Sequence, residues 1–226
     1  MSAELPRLET RQDTLTQRAY DAIRAAIIDK TLPPGGAISE TGLARTLGVS
    51  KTPVREAILR LREQRLIEGN GRAMAVITPS PSLVTEAYEA RIALESQAAA
   101  FAADRATEED QAELADLAAR SMAACEAGST VEFRRYDVQF HQRIARSAYS
   151  PLLTELAVNA IDLTDVLRRR DAPMTPVSLQ CARDHVRAAE LIAAGEADKV
   201  RALIAHHIQT VRDRVISDYQ EAVATA

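Results

Sequence analysis

The sequence predicts a mainly α-helical protein in two parts, and three observations carry that expectation. Alanine supplies 42 of the 226 residues, aromatic residues only 4%, and there is no Trp. Such a chain fills its interior with small side chains that favour helix. Six of the eight glycines fall early, at Gly35, Gly36, Gly42, Gly48, Gly69 and Gly71, which leaves Gly128 and Gly195 for the rest. Tight turns are therefore concentrated in the first third, and long helices are expected after it. Between the two parts, Pro79-Ser80-Pro81-Ser82 has the stiff, helix-excluding composition of a linker. The expected division is residues 1–78, a linker at 79–82, and a second domain at 83–226.

In the first part, Leu15, Ala19, Ile23 and Ile27 recur at helical spacing, and Pro33-Pro34-Gly35-Gly36 ends that helix. Ser39 is placed to cap a short second helix carrying Leu43 and Leu47. Gly48-Val49-Ser50 reads as a tight turn, with Ser50 capping a third helix. Pro53 falls in that helix's first turn, where backbone donors lack partners in any case. Val54, Ile58 and Leu61 then face the core, which turns Lys51, Thr52 and Arg55 outward. Leu66-Ile67-Glu68 and Met74-Ala75-Val76-Ile77 read as a hairpin, with Asn70-Gly71 suited to a primed turn.

Helix, helix, glycine turn, helix and two-stranded wing is the order of a winged helix-turn-helix, whose third helix enters the major groove of DNA. Charge fits that partner. The formal net charge is -4, yet residues 1–78 carry 12 basic against 9 acidic residues, and the remainder 16 against 23. Phosphate neutralisation supplies much of the affinity of DNA-binding proteins, so a basic end on an acidic chain is the expected distribution. Lys51, Thr52 and Arg55 at the start of the third helix are the candidate base contacts. Arg45 on the second helix and Arg72 at the wing tip are the candidate backbone and wing contacts. A solvated helix face remains the competing reading of the charges taken singly.

From Ser82 onward the pattern gives six helices, roughly 82–105, 107–126, 130–147, 151–171, 176–194 and 196–222. All four histidines lie here, at His141, His185, His206 and His207. Asp137 and His141 are four apart on a helix face shared with Phe133, Phe140 and Ile144, so both point inward. His185 shares a stripe with Cys181, Ala189 and Ile192, and His207 with Leu203, Ile204, Val211 and Val215. Asp137, His141, His185 and His207 can therefore converge on one interior, whereas His206 falls on the far side. One carboxylate and three imidazoles suit a divalent Zn, Ni, Mn or Fe with positions open to water or an anion. A metal-free cluster that only packs, and a metal-dependent hydrolase using the same residues, are the alternatives. Against the hydrolase, no spare Glu or His is placed as a general base. Arg91 lies on the stripe of Val84, Tyr88 and Glu95, either to clamp an effector carboxylate or to pair with Glu95. The Arg134-Arg135 pair and the Arg168-Arg169-Arg170 run read as solvated faces, and Cys125 and Cys181 as small core residues.

Two resemblances sharpen this reading. Pro34-Gly35, Ser39-Glu40, Leu43-Ala44 and Leu47-Gly48-Val49-Ser50-Lys51-Thr52-Pro53-Val54-Arg55-Glu56-Ala57 resemble the amino-terminal signature of GntR-type bacterial transcription regulators, over about residues 14–78. Lys51 stands where that family usually has Arg, and the wing reads Asn70-Gly71-Arg72-Ala73 rather than the usual Arg-Gly order. Arg91-Ile92-Ala93-Leu94-Glu95, Asp137-Val138-Gln139-Phe140-His141, His185 and His207 resemble the helical FCD effector domain of the FadR-type branch, over about residues 82–220. After the Phe-His pair the family commonly has Ala-Gly-Asn, and this chain has Ala148-Tyr149-Ser150. The resemblance implies a metal held by the Asp and three His, with a small organic acid beside it. One winged helix reads a half-site and a two-fold protein matches a palindromic operator, so a homodimer on double-stranded DNA is expected, with repression as the expected sign and no enzymatic activity.

Other classes are disfavoured. No stretch approaches the ~18 to 20 continuous apolar residues that cross a bilayer. Met1-Ser2-Ala3-Glu4-Leu5-Pro6 lacks the apolar core of a signal peptide, and two cysteines make no disulfide framework. A cytoplasmic protein is expected.

Overall fold

A computed structural model describes residues 11–69, 71–168 and 174–224. The chain divides into two compact units, Met1–Thr78 and Pro79–Ala226. The first contains α1 (Arg11–Ile28), α2 (Glu40–Leu47), α3 (Lys51–Glu63), and the strands β1 (Ile67–Glu68) and β2 (Ala75–Val76). Its core joins Ile23 and Ile27 of α1 to Val54, Ile58 and Leu61 of α3, all 2% exposed or less. The Ser39 hydroxyl accepts the Gly42 amide at 3.2 Å and so caps α2. Gly48 ends α2 in the left-handed region, φ 66°, where a side chain would be strained. Leu61 has no exposed surface. Leu61→Ala is expected to cost about 2–5 kcal/mol in urea unfolding of the whole chain; a loss below about 1 kcal/mol would contradict this packing.

Three local expectations are corrected. Leu15 is 42% exposed, because the buried stripe of α1 starts one turn later at Ala19 and Tyr20. Ser50 occupies the N-cap of α3 but makes no side-chain cap bond. Pro53, at the third helical position, has no amide hydrogen to offer it. The wing is antiparallel, Ile67 opposite Val76 and Glu68 opposite Ala75, but its reversal is not a primed two-residue turn. Gly69 turns first, at φ 78°, with its backbone so close to Ala73 that a Cβ would lie 2.0 Å from that carbonyl. A 3₁₀ turn, Gly71–Ala73, completes the connection; Asn70 lies outside the described residues.

The second unit holds α4 (Pro81–Arg105), α5 (Glu108–Glu126), α6 (Thr130–Ser147), α7 (Pro151–Leu167), α8 (Pro176–Ala193) and α9 (Ala197–Ala224). Since α4 begins at Pro81, with Ser80 as its cap, Pro81 and Ser82 belong to the helix rather than to the expected linker. Helix α7 stops at Leu167 instead of 171; Arg168 turns extended, and residues 169–171 lie outside the described residues. Thr107 with Asp110 and Thr175 with Ser178 form reciprocal capping boxes that fix the starts of α5 and α8. Helix α4 runs through the middle, packed by α6, α7, α8 and α9. Its buried Ala87, Ala98, Ala99, Ala100 and Ala102 allow that close approach. Tyr149, standing where the resembling family commonly has glycine, adopts φ 47°, a conformation costing about 1–2 kcal/mol for a residue with a Cβ. Its hydroxyl donates to Asp110 Oδ2 at 2.8 Å, an interaction that offsets part of that strain.

Candidate metal centre and nucleic-acid interface

Helices α6, α8 and α9 bring Asp137, His141, His185 and His207 together in the second unit. All four side chains are buried, and one ligand atom from each lies within 4.8 Å of the others. His141 Nε2 is 3.2 Å from His207 Nε2, and Asp137 Oδ1 is 3.4 Å from His185 Nε2 and 3.9 Å from His141 Nε2. His206, by contrast, is exposed.

The opposite nitrogen of every ring faces an oxygen. His141 Nδ1 lies 2.6 Å from Glu95 Oε2, His185 Nδ1 3.1 Å from Ser121 Oγ, and His207 Nδ1 3.2 Å from Asp184 Oδ2. Burial would raise the Glu95 carboxyl, but Arg91, then His141, holds it at about 2. Burial opposes the ionised form of Asp184 too, yet its bonds to His207 and Gln180 keep its pKa below the usual range. Burial pushes His207 down to about 4 and lowers His141 as well, against the carboxylates that favour their charged forms. A neutral ring that keeps its proton on Nδ1 beside such an oxygen turns its Nε2 lone pair inward. The Asp137 carboxyl is also ionised: burial raises it, and Arg168 with His185 and His141 brings it well below the ordinary range. Three imidazole nitrogens and a carboxylate oxygen thus face one another in one buried space. His185 Nε2 is fully buried, and the Asp137 carboxylate at 3.4 Å is the oxygen it faces. A cation is what such a donor set lacks, and imidazole with carboxylate fits a divalent transition metal.

Arg91, weighed above as an effector clamp or a partner of Glu95, takes the second role. It is 2% exposed, its Nε meets Glu95 Oε1, and its Nη1 donates to Thr164 at 3.3 Å. The expectation that Arg168 lies on a solvated face is corrected. Its Nη1 donates to Asp137 Oδ2 at 2.8 Å and its Nε to the Tyr88 hydroxyl at 2.9 Å. The cause is the end of α7, which turns this first arginine of the run back over the core. Beside it opens a cleft of about 80 Å³ lined by Phe133, Arg134, Asp137, Arg168, Cys181 and Arg214. Cys181 is buried there, and burial, with the nearby Asp137 charge, raises its thiol to about 12. Cys125, expected in the core, is only half-buried. Glu95, Ser121, Asp184 and Arg168 are the site residues that sequence reasoning missed. Only the Arg91–Glu95 spacing carried any sign of them.

In the first unit Lys51, Thr52 and Arg55 are exposed on the opening turns of α3, and Arg45 is exposed on α2. Arg55 is held by Glu40 at the start of α2, Nη2 to Oε2 at 3.2 Å. Arg72 belongs to the 3₁₀ turn of the wing, and its side chain lies outside the described residues.

A short glycine-stopped helix, an exposed basic helix and a wing, followed by a helical unit, is the order of a winged helix-turn-helix transcription regulator with an appended all-helical domain. Residues 15–76 match the gntR family of bacterial regulatory proteins and residues 86–210 match the FCD domain. The chain therefore belongs to the GntR family of DNA-binding transcription regulators and carries an FCD effector domain. It is 37% identical over 134 residues to an HTH-type transcriptional regulator from the TAR-I ttuE-ttuC' intergenic region of Agrobacterium vitis, covering 58% of this chain and 78% of the relative. It is 24% identical over 208 residues to the HTH-type transcriptional repressor RspR of Escherichia coli, covering 92% and 91%. The fold is similar to that of E. coli McbR/YncC, with a TM-score of 0.77 at 22% identity over 91% of this chain and 98% of the other. These relatives are regulators rather than enzymes. Among the described residues no helix is long and apolar enough to cross a membrane.

Proposed function

We propose that this regulator is a homodimeric repressor whose hold on its operator is set by a small carboxylate bound beside a divalent metal. The observation that carries this reading is the convergence of buried Asp137, His141, His185 and His207, one ligand atom of each within 4.8 Å of the others. Those four residues would hold the metal, supplying a positive centre to which a carboxylate oxygen can bind. Charge bookkeeping supports an anion there. Arg91 and Arg168 already stand beside Glu95, Asp137 and Asp184, and a divalent ion would add positive charge for an acid to meet. The cleft lined by Arg134, Arg168 and Arg214 leads to the same place.

Lys51, Thr52 and Arg55 would read base edges in each half-site, with Arg45 and Arg72 on phosphates. A two-fold dimer matches a palindromic operator. The acid shifts operator affinity only by binding one arrangement of the dimer better than another. The test is a thermal-shift screen of small organic acids against the full chain, with and without Zn, Ni or Mn. An acid that raises the melting temperature only in the presence of metal is expected; acids that act equally without metal would refute the joint site.

A further inference from the structure

Each histidine of the cluster is supported from behind by a different oxygen, and the supports are unequal. Ser121 offers His185 a neutral hydroxyl at 3.1 Å. Asp184 offers His207 a carboxylate at 3.2 Å, is 12% exposed, and among the described residues is otherwise held by the Gln180 amide at 2.8 Å. Glu95 offers His141 a carboxylate at 2.6 Å, is 1% exposed, and is held by the buried guanidinium of Arg91. Arg91 is fixed in turn by Thr164 of α7. A carboxylate behind an imidazole fixes its tautomer and orientation and makes the opposite nitrogen a better ligand. The effect grows as the carboxylate is dehydrated and its own position is fixed, because water no longer screens it.

We infer that the buried Arg91–Glu95 pair is a positioning device acting through His141, and that it sets the affinity of the metal centre more strongly than Asp184 or Ser121 does. This rests on the reading of the cluster as a metal site. Arg91 fixes the Glu95 carboxylate through Oε1, with Oε2 2.6 Å from His141 Nδ1; a proton kept on Nδ1 by that carboxylate leaves the Nε2 lone pair on the metal side. Helix α4, otherwise a packing element, thereby becomes part of the centre although it contributes no ligand.

The experiment is titration of metal-stripped full-length protein with Co²⁺, followed by the visible absorption of the bound ion and by a competing chelator. Glu95→Gln, Asp184→Asn and Ser121→Ala are compared with the unaltered chain. The expected order of loss in affinity is Glu95→Gln, then Asp184→Asn, then Ser121→Ala, with the first between about 10- and 100-fold. Glu95→Gln alone leaves the Arg91 charge buried without its partner. The double variant Arg91→Gln/Glu95→Gln removes both charges and is expected to regain the melting temperature of the metal-free parent while still binding Co²⁺ at least tenfold more weakly. Co²⁺ affinity within twofold of the parent in the double variant would overturn the inference, as would a larger loss from Ser121→Ala than from Glu95→Gln. Failure of the unaltered chain to take up Co²⁺ would instead remove the metal reading itself.

Discussion

Metal-stripped protein is expected to melt about 5–10 °C below the metal-loaded form, and His185→Ala to melt at one temperature with or without metal. The magnitude follows from linkage. A ligand at a hundredfold its dissociation constant stabilises the form that binds it by about 2.7 kcal/mol. In a chain of this size each kcal/mol moves the midpoint by roughly 2–4 °C. His185 is the discriminating position because its fully buried Nε2 faces Asp137 Oδ1 at 3.4 Å, so its loss would remove one metal ligand directly. A metal-free cluster that only packs predicts the opposite pattern: chelators leave the melt unchanged, and His185→Ala destabilises the chelated protein by a large margin. Direct analysis of tag-free protein adds a second check, in which less than about a tenth of an equivalent of metal would defeat the centre. His206→Ala, altering an exposed ring, is the matched control and should retain the full response to metal.

Arg55→Ala is expected to weaken operator binding by about 100-fold or more while leaving dimerisation and the metal response unchanged. A good bidentate contact between a side chain and a base is worth about 1–3 kcal/mol, and a two-fold complex loses it twice. Fluorescence anisotropy on an operator duplex measures the effect, with a scrambled duplex as control. Loss of the same size on both duplexes would reassign Arg55 to the phosphate backbone, and unchanged affinity would remove it from the interface. Glu40 makes a second handle. Its ion pair with Arg55 joins a side chain 62% exposed to one 27% exposed, so it contributes little to stability. It does occupy the guanidinium, and a base contacted by Arg55 would have to displace it. Glu40→Gln is therefore expected to raise affinity for both duplexes and to narrow the ratio between them.

The sequence made the backbone punctuation legible, because glycine and proline act locally. Gly48 announced the turn between α2 and α3, and Pro79-Ser80 the break between the units. The inward direction of Asp137, His141, His185 and His207 was legible for a similar reason: the helical repeat relates each residue to the apolar positions of its own helix. The same local logic missed the wing. Asn70-Gly71 has the composition of a primed turn, but Gly69 reverses the chain first, through a close approach to Ala73 that only the paired strands reveal. It also missed the supporting shell. Ser121, Asp184 and Arg168 reach the cluster from three different helices, or from the end of one, and nothing in their own segments marks them. Arg168 was misread because a run of three arginines resembles a wet surface, and the end of α7 decides otherwise.

The alanines of α4 have a packing consequence. Ala98, Ala99, Ala100 and Ala102 are buried within the two turns that follow Glu95. A larger side chain at any of them must push a neighbouring helix outward. Such a change would tilt the turn that carries Glu95, and so loosen the cage, without touching a ligand.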